Sequence, residues 1–158
     1  MCQTETTDLS KVHEAIKSRF IEPGFEYWFT DHQHVRSPFT KDIKETTRTR
    51  TTTIFLEWVE GLTEEELKTM KEEEFIEMFE TILFNEAIKL VEDEDQRLTI
   101  TYPFMPRIGD IVKHKENGNG KVIDRKEVVT KENKKMLELS ISSEETGVVW
   151  KTEFELTA

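Results

Sequence analysis

The sequence predicts an α+β protein: an N-terminal helix-and-sheet part over 1–102 that carries one long acidic amphipathic helix, then a small β-barrel over 107–158. Three observations lead there. Apolar residues recur with helical period between Thr63 and Val91. Elsewhere, runs rich in Thr, Val and Ile alternate with period two. Between these regimes stands Pro103-Phe104-Met105-Pro106. Two prolines so close remove backbone donors and fix φ, so neither a central strand nor a helix continues through them, and 103–106 is the expected linker.

In chain order, Met1 to Thr7 is a polar tail. Leu9, Val12, Ile16 and Phe20, with Ala15, recur at helical spacing and predict an amphipathic helix that stops at Glu22-Pro23-Gly24. Phe25, Tyr27 and Phe29 then alternate with Glu26 and Trp28, the pattern of a short strand inside 25–39, ended by Ser37-Pro38. From Thr46 to Val59 the β-branched content predicts a long strand closed by Gly61.

The centre of the chain is the most strongly patterned. Thr63-Glu64-Glu65-Glu66 has capping-box spacing, in which the Thr hydroxyl and the Glu carboxylate each accept from an otherwise orphaned N–H. Thr69 to Glu72 repeats the spacing, so a short helix near 64–69 should precede a long one near 71–92. At 100° per residue, Phe75, Ile76, Phe79, Ile82, Leu83, Ala87 and Leu90 share one face, the expected core. Phe84, Ile88 and Val91 form a second patch, which reads either as the far side of a helix packed between layers or as a docking surface. Glu86 projects into the main apolar face, where an uncompensated carboxylate is costly. It is a candidate buried carboxylate, and its expected cation is Arg48, Arg50 or Arg97. The alternative is a functional carboxylate in a cleft.

Beyond this helix, Leu98, Ile100 and Tyr102 alternate with Arg97, Thr99 and Thr101 and predict a strand. After Pro106 come four or five short strands: Ile108 to Lys115, Lys121 to Val129, Met136 to Ile141 and Val148 to Leu156, separated by Asn117-Gly118-Asn119-Gly120, a polar loop and Ser142 to Gly147. So many short strands in so little chain suit a barrel better than a sandwich. Gly118 and Gly120 are expected to supply positive φ at a hairpin, with Val112 and Val122 pointing inward.

Ile108-Gly109-Asp110-Ile111-Val112-Lys113-His114, followed by Gly118-Asn119-Gly120-Lys121-Val122, resembles the opening of SH3-like or Tudor-like small β-barrels. Their pattern runs Gly-Asp-x-Val-x-His, a short loop, then Gly-x-Gly-x-Val. The resemblance covers about the C-terminal third, and Asn117 departs from it, since those barrels carry a bulky apolar residue there. It implies a barrel fold and a binding function, toward protein partners or sometimes nucleic acid.

Charge narrows the function. The net charge of -11 is concentrated: 57–95 holds 15 acidic residues against Lys68, Lys71 and Lys89, whereas 1–56 is balanced and 96–158 is +1. Such a face repels phosphate, so nucleic acid is not expected as the main partner. No apolar run approaches the roughly 20 residues of a membrane span, and no basic-then-apolar leader opens the chain, so a cytoplasmic protein without a membrane partner is expected. The single Cys2 forms no disulfide framework.

Chemistry-bearing motifs are sparse. His32 and His34, with Asp31 beside them, form the sole candidate metal cluster, since residues two apart on a strand share a face. There is no nucleophile elbow, no phosphate-binding loop and no cofactor motif, so neither a catalytic residue nor a cofactor is assigned. The aromatic run Phe25 to Phe29 reads as core or as a stacking platform flanked by Arg36, Arg48 and Arg50. The leading expectation is a non-enzymatic protein-binding or regulatory protein, of the small charged format associated with accessory or inhibitor proteins of phages and mobile elements. Its partner would be a protein with a basic surface, met by Glu72, Glu73, Glu77, Glu80, Phe84 and Ile88. Nucleic-acid binding through the barrel and the aromatic segment is the alternative, and a metal-dependent enzyme at His32 and His34 is the third.

Overall fold

The computed structural model describes residues 11–114 and 116–156. The chain forms two compact units that divide between Glu92 and Asp93. The class is α+β as expected, but among the described residues the regular elements of the first unit are all helices and the strands all lie in the second.

The first unit opens with helix α1, residues 11–28. The expected stop at Pro23-Gly24 is not one. A π-helical turn, Lys17–Ile21, is closed by the Glu22 N–H bonding to Lys17 O, and it hands the chain to a fresh α-helical turn, Glu22–Trp28. Pro23 therefore sits in a first turn, where a helix N–H has no intrahelical partner to lose. Gly24 answers a packing demand: a Cβ there would lie 2.3 Å from Phe79 Cε1. Phe25 to Trp28 are thus helical, and the strand expected in 25–39 is absent.

Helix α2, Lys44–Glu60, replaces the long strand expected at 46–59. The correction has a clear physical cause. Thr47, Thr51, Phe55 and Val59 are buried at a spacing of four, one stripe of a helix, and that periodicity outweighs the β-preference of the threonines. On the exposed side the Thr49 hydroxyl donates to Glu45 O and Thr53 to Thr49 O, each at 3.0 Å, which satisfies them without leaving the helix.

Helix α3, Glu64–Thr69, carries the expected capping box: the Glu66 N–H donates to Thr63 Oγ1 at 3.1 Å and the Thr63 N–H to Glu66 Oε1 at 3.2 Å. Helix α4, Glu72–Lys89, starts at Lys71, whose N–H donates to Glu74 Oε2 at 2.9 Å. Its buried face is Phe75, Phe79, Ile82, Leu83, Glu86 and Ala87, whereas Ile76 is 41% exposed. Aromatic rings knit α1, α2 and α4: Phe79 meets Phe25 edge-on at 5.4 Å and Phe55 at 5.7 Å, and Phe20 stacks on Phe75 at 5.3 Å. Each such buried ring contributes roughly 1.5–3 kcal/mol relative to exposure.

The second unit begins with α5, Glu94–Thr101, where a strand was expected. Asp93 caps it, its Oδ2 accepting from the Gln96 N–H at 3.0 Å, and Glu94 and Asp95 stand at the positive end of the helix dipole. Leu98 and Tyr102, four apart, pack with Met105 against the core of the sheet.

That sheet is a curled antiparallel meander of β1 (Ile111–His114), β2 (Gly118–Val129), β3 (Lys135–Ser143) and β4 (Val149–Glu155), in the order β1-β2-β3-β4. A bulge between Val122 and Asp124 shifts the β2–β3 register, so Val122 and Arg125 both face inward although three residues apart. Val122, Leu137, Leu139 and Ile141 are the buried core. The opposite face carries charge, with Lys126 3.6 Å and Lys151 3.4 Å from Glu138. Gly118 has the expected positive φ of 70°. Gly120 does not; a Cβ there would lie 2.3 Å from Trp150 Cη2 and 2.4 Å from Ile141 Cγ2, so this glycine admits a close approach.

Arg125 explains why the division precedes α5. Its side chain is 1% exposed; Nε donates to Asp95 Oδ1 at 2.5 Å, one terminal nitrogen to Pro106 O at 2.9 Å, and the other to Asp95 O at 2.8 Å and to the Thr99 hydroxyl. Strand β2 thereby holds both the helix and the far end of 103–106, the expected linker, which lies inside this unit.

Candidate functional site

In the first unit, α1 and α4 leave a groove of about 290 Å³ between them. Phe20, Gly24, Trp28 and Phe79 line it, with Tyr27 and Ile76, which are 42% and 41% exposed, and with Arg19 and Glu80. The missing side chain of Gly24 lets the Phe79 ring approach α1. Arg19 is 3.5 Å from Glu72, both well exposed, so it is partly neutralised.

Glu80 is the chemically distinct member. Its side chain is half-buried. Burial raises its carboxyl above the usual carboxylate range; a hydrogen bond from the Trp28 side chain opposes that rise, and the charge on Glu77 adds to it. Glu73, Glu77 and Glu80, spaced at four and three, run along one stripe of α4, Glu73 exposed and Glu77 likewise.

The other predicted site residues are dispersed. Glu72 is exposed at the start of α4. Phe84 is half-buried, its ring 4.9 Å from Trp28 and 5.0 Å from Phe39, so the second apolar patch is covered from within the unit; Ile88 is half-buried. Phe25 is fully buried and Trp28 nearly so, and Arg48 lies over the Phe25 ring at 5.2 Å while bonding both Glu22 oxygens at 3.0 Å. Of the aromatic run, Phe25 and Trp28 are core, and Tyr27 is exposed on the groove. Glu86 is buried as expected, and the Lys89 ammonium from the next turn, which was not among the expected cations, stands 2.7 Å from its Oε1, while Arg48 pairs with Glu22.

The histidine pair lies in the irregular segment after α1 and not on a strand. The His32 ring stacks on Tyr27 at 4.5 Å and its Nε2 donates to Tyr27 O at 3.0 Å; Asp31 Oδ1 accepts from the Ser37 N–H at 2.8 Å; His34 is exposed. Among the described residues no group of three His, Cys, Asp or Glu is placed to hold a metal ion, and no helix is long and apolar enough to cross a membrane. Cys2 lies outside the described residues.

Sequence reasoning missed Tyr27, Gly24 and Ile76 as groove residues. The available signal was Gly24 itself, a glycine amid aromatics where a ring needs room. Compared with protein-family models, curated proteins and solved structures, the chain gives no match.

Proposed function

We propose that this is a non-catalytic binding protein whose partner is another protein, engaged through the groove between α1 and α4 and its acidic lip. The observation that carries this reading is the pairing of two large, half-exposed apolar side chains, Tyr27 and Ile76, with the half-buried carboxylate of Glu80 in one concavity. An apolar anchor side chain fills such a groove, and basic residues beside it meet Glu73, Glu77 and Glu80. The excess of acid over base in 57–95 speeds the encounter at low salt.

A displayed library of random peptides selected on the folded protein tests the reading. Selected sequences should carry an apolar residue flanked by Lys or Arg, shift the amide signals of Gly24, Tyr27 and Ile76, and lose binding to Ile76→Lys. Selection without basic flanks, or binding untouched by that substitution, removes the reading. The curled sheet of the second unit is read alongside as an SH3-like barrel left open between β1 and β4. The turn closed by the Arg107 N–H on Asp110 Oδ2 at 2.8 Å, with Gly109 at φ 94°, supports this, and superposing an experimental structure on barrels of that class tests it.

A further inference from the structure

Among the described residues, strand β4 is hydrogen-bonded on one side only, to β3. Its pairing fixes which backbone groups are free. Val148 O accepts from the Ser143 N–H at 2.9 Å and the Leu156 N–H donates to Lys135 O at 2.9 Å. In the continuous register between them, Trp150, Thr152 and Phe154 turn their backbone groups toward β3, and Val149, Lys151, Glu153 and Glu155 turn theirs outward. Uncovered edges of this kind template pairing with another strand.

We propose that this edge pairs with the same edge of a second copy of the chain, antiparallel, about a two-fold axis at Thr152. The segment Trp150-Lys151-Thr152-Glu153-Phe154 is self-complementary about its centre, with Val149 and Glu155 opposite each other at its ends. With Thr152 opposite Thr152, Lys151 of one copy stands opposite Glu153 of the other, twice, and these are the residues whose N–H and C=O groups are free to exchange. On the other face Trp150 stands opposite Phe154, twice. Shifting the register by two residues loses either the charge match or the aromatic match.

Two features of the single chain point to an absent strand. Glu153 sits directly opposite Glu138 on β3, like charge against like, and among the described residues the cations near Glu138 are Lys126 and Lys151, with none on Glu153. A second copy brings Lys151 to it. Phe154 and Val149, at 38% and 54% exposure, leave apolar surface open along the same edge. The interface is isologous and closed, so it makes a dimer and not a fibre.

The test combines charge reversal with cross-linking in the full chain. Sedimentation equilibrium should show a dimer that Lys151→Glu or Glu153→Lys each weakens about tenfold or more, while the double reversal restores affinity to within about threefold of the original, as symmetric cross-strand pairs require. Glu153→Lys also places a cation opposite Glu138 within the chain. An effect on folding alone would therefore leave this variant no worse, and the weakened dimer separates the two explanations. With Cys2 replaced by Ser, Thr152→Cys should form a disulfide-linked dimer well before Glu145→Cys, an exposed control, because residues facing each other in a pair without hydrogen bonds bring Cβ atoms to about 4.5–5.5 Å. A chain that stays monomeric at about 1 mM, a dimer insensitive to both reversals, or a Thr152→Cys variant that links no faster than the Glu145→Cys control overturns the proposal.

Discussion

Replacing Arg125 by Met should loosen α5 from the sheet more than it perturbs anything else. The guanidinium is 1% exposed and donates to Asp95 Oδ1, Asp95 O, Pro106 O and the Thr99 hydroxyl. Its removal deletes hydrogen bonds to three neutral acceptors, Pro106 O, Asp95 O and the Thr99 hydroxyl, at about 1 kcal/mol net each; the Thr99 hydroxyl still donates to Asp95 O at 3.2 Å, so neither of those two is orphaned. The Asp95 carboxylate, 39% exposed, rehydrates and adds little. The Met side chain recovers roughly 1 kcal/mol by burial, which leaves a net loss of about 2 kcal/mol. Native-state hydrogen exchange reads this directly: amides of Leu98 to Thr101 should lose about 30-fold in protection, and those of Phe75 to Leu83 in the first unit should not move. Asp95→Asn, which keeps the backbone acceptor, should have the smaller effect. A change below about threefold at Leu98 to Thr101 in the Met variant would refute the account of Arg125 as the group that holds the helix down.

Three further outcomes follow from side chains already placed. Gly24→Ala should destabilise the first unit by about 1–3 kcal/mol in urea unfolding, because the new methyl meets the Phe79 ring at 2.3 Å, whereas Gly61→Ala, at φ -77° with its nearest neighbour 3.5 Å from the new Cβ, meets no such obstacle. Lys89→Met should cost more stability than Glu86→Met, since the first strands a buried carboxylate and the second removes it; equal effects contradict the pairing. For Glu80, a carboxyl raised above its unfolded value binds its proton more tightly when folded. Its contribution is therefore favourable below the unfolded pKa and is lost as pH rises through the folded pKa. The groups acting on it are Trp28 from α1 and Glu77 on its own helix, and Arg19 lines the same groove while paired with Glu72. Glu80→Gln should raise Tm at pH 7, leave it unchanged below about pH 4, and flatten the slope between, as thermal melts over that range will show.

The parts of the fold legible in the sequence are those where local signals and tertiary packing agree. The capping box at Thr63, the apolar face of α4 and the strands of the meander are readable because period, caps and turn residues point the same way. Residues 46–59 and 96–102 mislead because threonine carries a β-preference, while the burial that decides their state comes from partners far along the chain. The stripe Thr47, Thr51, Phe55 and Val59 is present in the sequence, but two of its members are polar and do not register as apolar. Pro23 misleads because a π turn upstream is invisible to composition. In the candidate site, Glu77 and Glu80 are readable as an acidic stripe. Their neighbours Tyr27 and Ile76 are not, because a groove depends on how two helices approach and no local pattern records that distance.

The threonine stripe of α2 has a consequence for the order in which the chain acquires its structure. Thr47 and Thr51 are fully buried and their hydroxyls have no hydrogen-bond partner among the described residues, so they serve the core only as volume. Six threonines in this helix give its peptide little helical preference of its own, in contrast to α4 with its acidic first turn and strong helix formers. The expected order of folding is therefore that α2 commits to a helix only once the Phe55 and Phe79 rings meet. Conservative truncations in α4, such as Ile82→Val, should slow folding with φ-values of about 0.5 or more, whereas Thr51→Ser in α2 should mainly speed unfolding. The helix that looks like a strand is then a late arrival, shaped by a template synthesised after it.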